Sequence, residues 1–342
     1  MKYIYQLIVL VLMTGLIACE TEIEFNGKEV EPVLVLNCLT CTDSTLEVKL
    51  TASRFFLSNV DTFTSITNAS IVLKANDLTV ETLVHKGNGI YTSTYKPQAG
   101  ERITLIASAP GFETISTTED FPLRIADYSV DSTISTSDTM YQVDVWGTSD
   151  GNGMTWYKDT IGQYYNVIHR YTIRFTDPPG KKDFYRLIVQ NNTYHWADSL
   201  LLSGTKSYSY GFKNIVFDSG ESGGMEGIAE DSNYDPLNLF TDELIDGSTH
   251  TINIEYHQLV YTNIRPGHQN DYYTTPRRHK LDIQLQPISK SYYLFLKTFQ
   301  AFDNTDPFMS EPVQIYTNVK NGLGIFGART QQIKSFVLPI FQ

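Results

Sequence analysis

Cys19 is the residue whose chemistry is most sharply specified. It closes the run Leu16-Ile17-Ala18-Cys19, behind Lys2 and an apolar stretch from Ile4 to Met13. That stretch is too short to span a bilayer stably, and with its cationic start it has the form of an export signal. Ala18 is small enough for a signal peptidase cleft, and the four residues make a bacterial lipoprotein box. The thiol is expected to take a diacylglyceryl group, and cleavage then exposes the amine for a third acyl chain. At about 0.8 kcal/mol per buried methylene, several chains anchor a protein firmly. The alternative is an ordinary secretory signal in which Cys19 is incidental.

The other candidates for chemistry are weaker. Cys38 and Cys41 have the Cys-x-x-Cys spacing, which fits a small disulfide ring outside the cytoplasm. A redox pair needs that motif to open a helix. Here it follows Val33-Leu34-Val35-Leu36, a strand, and leads into the turn Thr42-Asp43-Ser44. Gly220-Glu221-Ser222-Gly223-Gly224 matches a nucleophile elbow and is similar to a run of chymotrypsin-like proteases. Gly227 spoils the helix an elbow requires, and neither His169 nor His195 has the setting of a protease base. Ser222 therefore reads as a loop residue, and no catalytic residue is assigned.

The seven His are scattered, and Glu255 with His257 offers too few ligands for a metal. Asp231, Asn233 and Asp235 begin like a calcium loop, but Pro236 stands where glycine is required. No metal and no cofactor is expected. Contact chemistry is better served by aromatics. Tyr164 with Tyr165, Tyr208 with Tyr210, and Tyr272 with Tyr273 lie in turn-rich segments near Gly, Asn and Asp. Such rings would stack on sugar faces or on peptide. Packing between loop and sheet is the bland alternative.

The elements that must carry these residues are strands. The 342 residues suffice for two domains with real cores. The formal charge is −12, and loss of Lys2 with the signal makes it −13. An acidic chain argues against nucleic acid and against broad adsorption to anionic lipid. The 22 Tyr suit half-buried strands as well as interfaces. Glu47 to Leu50 alternates. Asn76-Asp77 joins two strand patterns, Gly87-Asn88-Gly89 makes the next turn, and Pro110-Gly111 closes the run from Ile103 to Ala107. This spacing predicts an immunoglobulin-like β-sandwich over 25–121.

Phe121-Pro122-Leu123 marks a boundary, and a larger β-rich domain follows over 122–342. Tyr171 to Phe175 alternates, and Tyr185 to Val189 returns after the loop from Asp177 to Lys182, which reads as a hairpin. Ile252, Ile254 and Tyr256 share one strand face, as do Leu281, Ile283 and Leu285, with Pro287 expected to end the strand. Apolar residues at 292, 295, 296, 299 and 302 have helical spacing, with Ser289 or Ser291 as N-cap. One amphipathic helix packed on the sheet is expected. The whole reads as mainly β.

The residues beyond that helix are the most distinctive. Asp306-Pro307-Phe308 and Glu311-Pro312-Val313 precede Ile315-Tyr316-Thr317-Asn318, and Asn321-Gly322-Leu323-Gly324-Ile325-Phe326-Gly327 follows. This closely resembles the C-terminal signature of a large lipoprotein family of the Bacteroidota, domain of unknown function 4249. Glu31-Pro32, Gly89-Ile90-Tyr91, Ala109-Pro110-Gly111-Phe112, Phe175-Thr176-Asp177-Pro178, Phe240 to Leu244 and Asp246-Gly247 fit the same pattern. Cys38 departs from it, where a small residue such as Gly is expected.

The resemblance implies an outer-membrane lipoprotein commonly encoded beside a TonB-dependent receptor, hence an accessory subunit of a nutrient uptake system. It brings no catalytic residues. The acidic tether over 19–24 (Glu20, Glu22 and Glu24) resembles surface-export signals of the same bacteria, so the outer leaflet facing the medium is expected, with the periplasmic side as alternative. The expected partners are that receptor and, through the anchor, the membrane. The expected function is non-enzymatic. The alternative is a surface adhesin or structural lipoprotein without a transport role. In the signature itself, Pro307 and Pro312 are expected to stop the helix, the glycines to allow close backbone approach, and Asn318 and Asn321 to hold turns.

Overall fold

Alternating apolar residues make a chain fold as strands whose buried faces must meet. The computed structural model describes residues 30–55, 62–149, 151, 153–197, 200–207, 211–213, 215, 237–263, 277–303 and 313–338. Val33–Ser53 with Thr62–Gln342 make one unit, and all that follows lies within it. Of the other unit, Met1–Pro32 with Arg54–Asp61, only 30–32 and 54–55 are described.

The chain begins with β1 (Leu34–Cys41), β2 (Glu47–Ala52), β3 (Ser70–Ala75), β4 (Leu78–Thr82), β5 (Val84–Gly87), β6 (Ile90–Thr92), β7 (Arg102–Ser108) and β8 (Ile115–Asp120). Then come β9 (Ala126–Thr136), β10 (Met140–Ser149), β11 (Met154–Thr176), β12 (Phe184–Ala197), β13 (Leu200–Ser207), β14 (Gly211–Lys213), β15 (Leu239–Thr241) and β16 (Thr249–Asn263). The last elements are β17 (Arg277–Ile288), the helix α1 (Lys290–Asp303), β18 (Leu323–Arg329) and β19 (Gln332–Leu338).

These strands form three sheets. A four-stranded sheet runs β4-β3-β7-β8. A five-stranded sheet runs β10-β11-β16-β14, with β9 also on β11. A ten-stranded sheet runs β13-β12-β17-β18-β1-β2-β6-β5, with β15 on β12 and β19 on β17. Its β1 end faces the four-stranded sheet across a core of Leu36, Val48, Leu50, Ile71, Leu105 and Phe326. Its β12–β17 end faces the five-stranded sheet across Ile173, Phe175, Leu187, Ile254, Ile283 and Leu285. The protein is thus mainly β, in sandwich-like layers with one long helix among the described residues.

Several expectations hold in detail. Asn76 and Asp77 both have positive φ, 49° and 67°, as a tight β3–β4 hairpin of primed type requires. Ile252 and Ile254 are fully buried on one face with Tyr256 packed beside them, as are Leu281, Ile283 and Leu285. Helix α1 begins where Ser289 can cap it: the Ser289 hydroxyl accepts from Tyr292 N at 3.3 Å. Tyr292, Tyr293 and Leu296 then pack on Phe184, Leu239 and Ile288 of the ten-stranded sheet.

Other expectations are corrected. The loop from Asp177 to Lys182 does not close a hairpin. β11 lies in the five-stranded sheet and β12 in the ten-stranded one, so Phe175 and Tyr185 meet across a core, at 5.6 Å between rings. Two alternating strands look alike whether they pair edge to edge or face each other. Strand β17 continues through Pro287, which sits opposite Tyr185 and accepts from Thr330 N through its carbonyl. The turn at Thr42 follows a strand that runs through both cysteines. Cys38 and Cys41 are buried free thiols, and three strand residues separate Cα atoms by about 10 Å, too far for a disulfide.

The first sandwich also draws a strand from the far end of the sequence. β18 pairs parallel with β1, from Val35 opposite Leu323 to Cys41 opposite Arg329. Gly324, at φ +109°, lies so close to Leu36 that an added Cβ would stand 2.0 Å from its carbonyl oxygen. Gly327 does the same for the helix, whose Tyr292 Cβ lies 2.9 Å from where a side chain would begin.

Candidate functional site

Strands β10 and β11 make a ribbon that carries exposed aromatics. β16 pairs with β11 from Gly162 onward and β9 from Val167 onward. Met154 to Thr160 therefore pair only with β10 among the described residues. Among the described residues no second layer covers this two-stranded ribbon, and Tyr141, Val145, Met154 and Trp156 are each more than half exposed, Trp156 at 65%.

Register sorts the side chains, because directly opposed residues share a face. On one face Trp146 is opposite Tyr157, and the next pair is Asp144 opposite Asp159. The Trp146 and Tyr157 rings stack, with centroids 5.8 Å apart and planes at 18°. On the other face Trp156 and Met154 lean over Gly147, where any Cβ would meet them at 2.7–3.1 Å. Stacked rings beside two carboxylates can hold a planar or cationic group. Nothing in the arrangement supplies a nucleophile with a base.

Tyr164 and Tyr165, expected in a turn-rich segment, are half-buried in the middle of β11, opposite Tyr261 and Val260. Their alternation with the strand makes them sheet residues. Cys19, Tyr208, Tyr210, Ser222, Asp231, Asn233, Asp235, Tyr272, Tyr273, Pro307 and Pro312 lie outside the described residues. Trp146 and Tyr157 escaped the sequence reading because large aromatic and apolar residues stand among polar ones on both faces of the ribbon, which hides a period of two. The signal was present: Asp150-Gly151-Asn152-Gly153 is a turn sequence, and a hairpin centred on it pairs these two rings.

A second cluster lies at the end of the β11 strand. Carboxylate oxygens of Asp177, Asp183 and Asp242 come within 4.8 Å of one another. Asp177 accepts from the Tyr185 hydroxyl and from Gly247 N at 3.1 Å. Asp242 accepts from Asp183 N at 2.9 Å, and Asp246 from Gly180 N at 2.8 Å. Burial raises the Asp177 carboxyl above its ordinary range. Burial, and then the Asp177 charge, push Asp183 up to about 6. A shallow cleft lined by Pro122, Ile125, Pro178, Asp183 and Tyr185 opens beside it. With Asp177 engaged by Tyr185 of β12 and by Gly247 before β16, and Asp242 by Asp183 N, the cluster acts as a clamp that ties together the segments crossing between sheets.

The signature near the C-terminus is built as a joint. Asn318 accepts from Phe326 N at 2.9 Å and donates to Phe326 O at 2.8 Å, imitating one rung of a strand ladder. It also donates to Glu119 at 3.1 Å. Glu119 on β8 is buried at 6% exposure, and burial pushes its carboxyl up to about 7 against the pull of Ser291 and Ser289. Asn321, at φ 59°, holds the turn before β18.

Comparison with known proteins adds the family. No curated protein matches the chain. A solved structure, described as "Structural basis for the promiscuous specificity of the carbohydrate-binding modules from the beta-sandwich super family", is similar at 14% identity and a TM-score of 0.20, covering 68% of this chain and 100% of its own. At that score the likeness carries no argument about this chain. The family model described as Domain of unknown function (DUF4249) matches residues 20–335, and the chain belongs to that family.

Proposed function

We propose that this protein is a non-enzymatic outer-membrane lipoprotein, held by acyl chains on Cys19. Its work is that of an accessory subunit to a TonB-dependent receptor in nutrient uptake. The observation that carries the reading is Leu16-Ile17-Ala18-Cys19 behind a short apolar run, followed by an acidic tether and then a β body. An acylated amine terminus fixes such a body to a membrane surface without a spanning element. No helix among the described residues is long and apolar enough to cross a membrane, so the tether is the anchor this reading needs. The open aromatic ribbon is a contact surface rather than a reaction centre, in keeping with a subunit that binds.

The test has two parts. Cells fed labelled palmitate should incorporate it into the wild-type chain and not into Cys19→Ser, and the variant should leave the membrane fraction. Purification from detergent-solubilised outer membrane should bring down a large barrel protein. Labelling of the Ser variant, or its unchanged membrane retention, defeats the anchor. Recovery bound to matrix material and never to a barrel replaces the uptake role with adhesion.

A further inference from the structure

We infer that residues 313–320 are a strap over the edge of β8, and that Glu119 releases this strap on losing its proton.

The strap belongs to no strand or helix, and separate ties hold it. Tyr316 N donates to the Thr298 hydroxyl of α1 at 2.9 Å. Asn318 bonds both backbone atoms of Phe326 on β18. Lys320 forms a single bridge to β8, donating its N–H to Ser116 O at 2.8 Å and accepting from Ser116 N at 3.3 Å. Among the described residues β8 is the outermost strand of its sheet, so the bridge covers backbone groups that an open edge would offer to other chains.

Glu119 stands where β8, the strap and the start of α1 meet, with 6% of it exposed. It accepts from the Asn318 amide at 3.1 Å and bonds Ser289 and Ser291. The Ser289 hydroxyl already accepts from Tyr292 N and Ala328 N, which leaves its one proton for Glu119. Every partner is thus neutral. The charged groups on the surrounding elements are Asp120 on β8, Arg102 on β7, Lys181 before β12, Lys290 on α1, Lys320 on the strap and Arg329 on β18. The charge that acts on Glu119 is that of Asp120, which repels it. Arg102 is taken by Asp120 in a two-pronged pair at 2.7 and 3.0 Å. A buried carboxylate without a cation is relieved by water, so ionisation favours whatever opening admits it. β8 is paired with β7 at six positions, and α1 is a helix of 14 residues packed on a sheet. The strap, held by isolated bonds, is the element that yields.

The test is hydrogen exchange of the full chain, read by mass spectrometry on peptides covering the strap and, for reference, β7. The carboxyl moves from 4.5 when solvated to about 7 when covered. Strap protection, corrected for the chemical rate, should therefore fall about tenfold from pH 6 to pH 8 and little further above. In low urea it should stay level, because a local opening exposes little surface, while β7 amides exchange through unfolding and follow the urea. Glu119→Gln should abolish the fall. Asp120→Asn, which removes the repelling charge and frees Arg102, should move the fall to lower pH, and it decides alone should the Gln chain not fold. Wild-type protection that ignores pH, an undiminished fall in a folded Gln chain, or an unmoved one in the Asn chain would each overturn the inference. So would strap amides that share the protection and urea slope of β7, since the carboxyl would then govern only unfolding of the whole.

Discussion

Glu119 shows what one buried carboxyl does to the whole. Its ordinary value is 4.5, and burial raises it in the folded chain to about 7. Below 4.5 the group is protonated in both states and costs nothing. As pH rises toward 7 the unfolded chain ionises first, so stability falls through that window and levels off above it. The loss amounts to about 3 kcal/mol. Glu119→Gln keeps a hydrogen-bonding group without the charge. It should flatten the fall in unfolding free energy between pH 5 and pH 8 that denaturant titration of the wild type shows. Asn318, its partner, joins β8 to β18 with three bonds. Asn318→Ala should lose about 2 kcal/mol in the same measurement. Cys38 makes a third case: burial, and then Glu47, push its thiol up to about 12. Iodoacetamide should spare Cys38 in the native protein and alkylate it in guanidinium, as mass spectrometry would report. Rapid native labelling would show that the β1 core opens.

At the scale of elements, β18 is the strand on which the others depend. It lies between β17 and β1, and Phe326 and Ala328 belong to the core of the first sandwich. Gly324 has a backbone angle that side chains resist and no room for a Cβ beside Leu36. Gly324→Ala should therefore cost about 3 kcal/mol, seen as a lower denaturant midpoint. The helix is tied in at its cap. Ser289 bonds Tyr292 N and also accepts from Ala328 N at 3.1 Å, so Ser289→Ala should lose about 1–2 kcal/mol by loosening cap and strand together. A wild-type melting curve for either variant would remove β18 from this central place.

For the molecule as a whole, the ten-stranded sheet makes the two sandwiches one structure. It contributes β1, β2 and β6 to one core and β12 and β17 to the other, joined where Ile288 meets Arg329. A fragment of residues 25–121 lacks the parallel neighbour of β1 and the Phe326 ring that meets Phe121 at 6.3 Å. Expressed alone, it should show no cooperative unfolding, whereas the full chain should. A sharp transition in the fragment would make the C-terminal strand an accessory to a domain already complete.

Local signals were legible because their causes are local. Asn76-Asp77 must turn, since two adjacent residues of a tight hairpin need positive φ that Asn and Asp tolerate. The spacing from Tyr292 to Phe302 must coil, and Ser289 must cap it. Alternation at Tyr171 to Phe175 and at Leu281 to Leu285 specifies buried strand faces. The acylation proposed for Cys19 likewise rests on four adjacent residues, Leu16 to Cys19. What an apolar face meets is decided elsewhere in the chain. Alternation cannot distinguish the strand beside Tyr185 from the one facing it, nor say that Leu323–Arg329 pairs with Leu34–Cys41 across nearly the whole sequence. The Trp146–Tyr157 pair depended on hairpin register, and that register placed the two carboxylates face to face. Side-chain direction is a property of each strand, but neighbours are a property of the sheet.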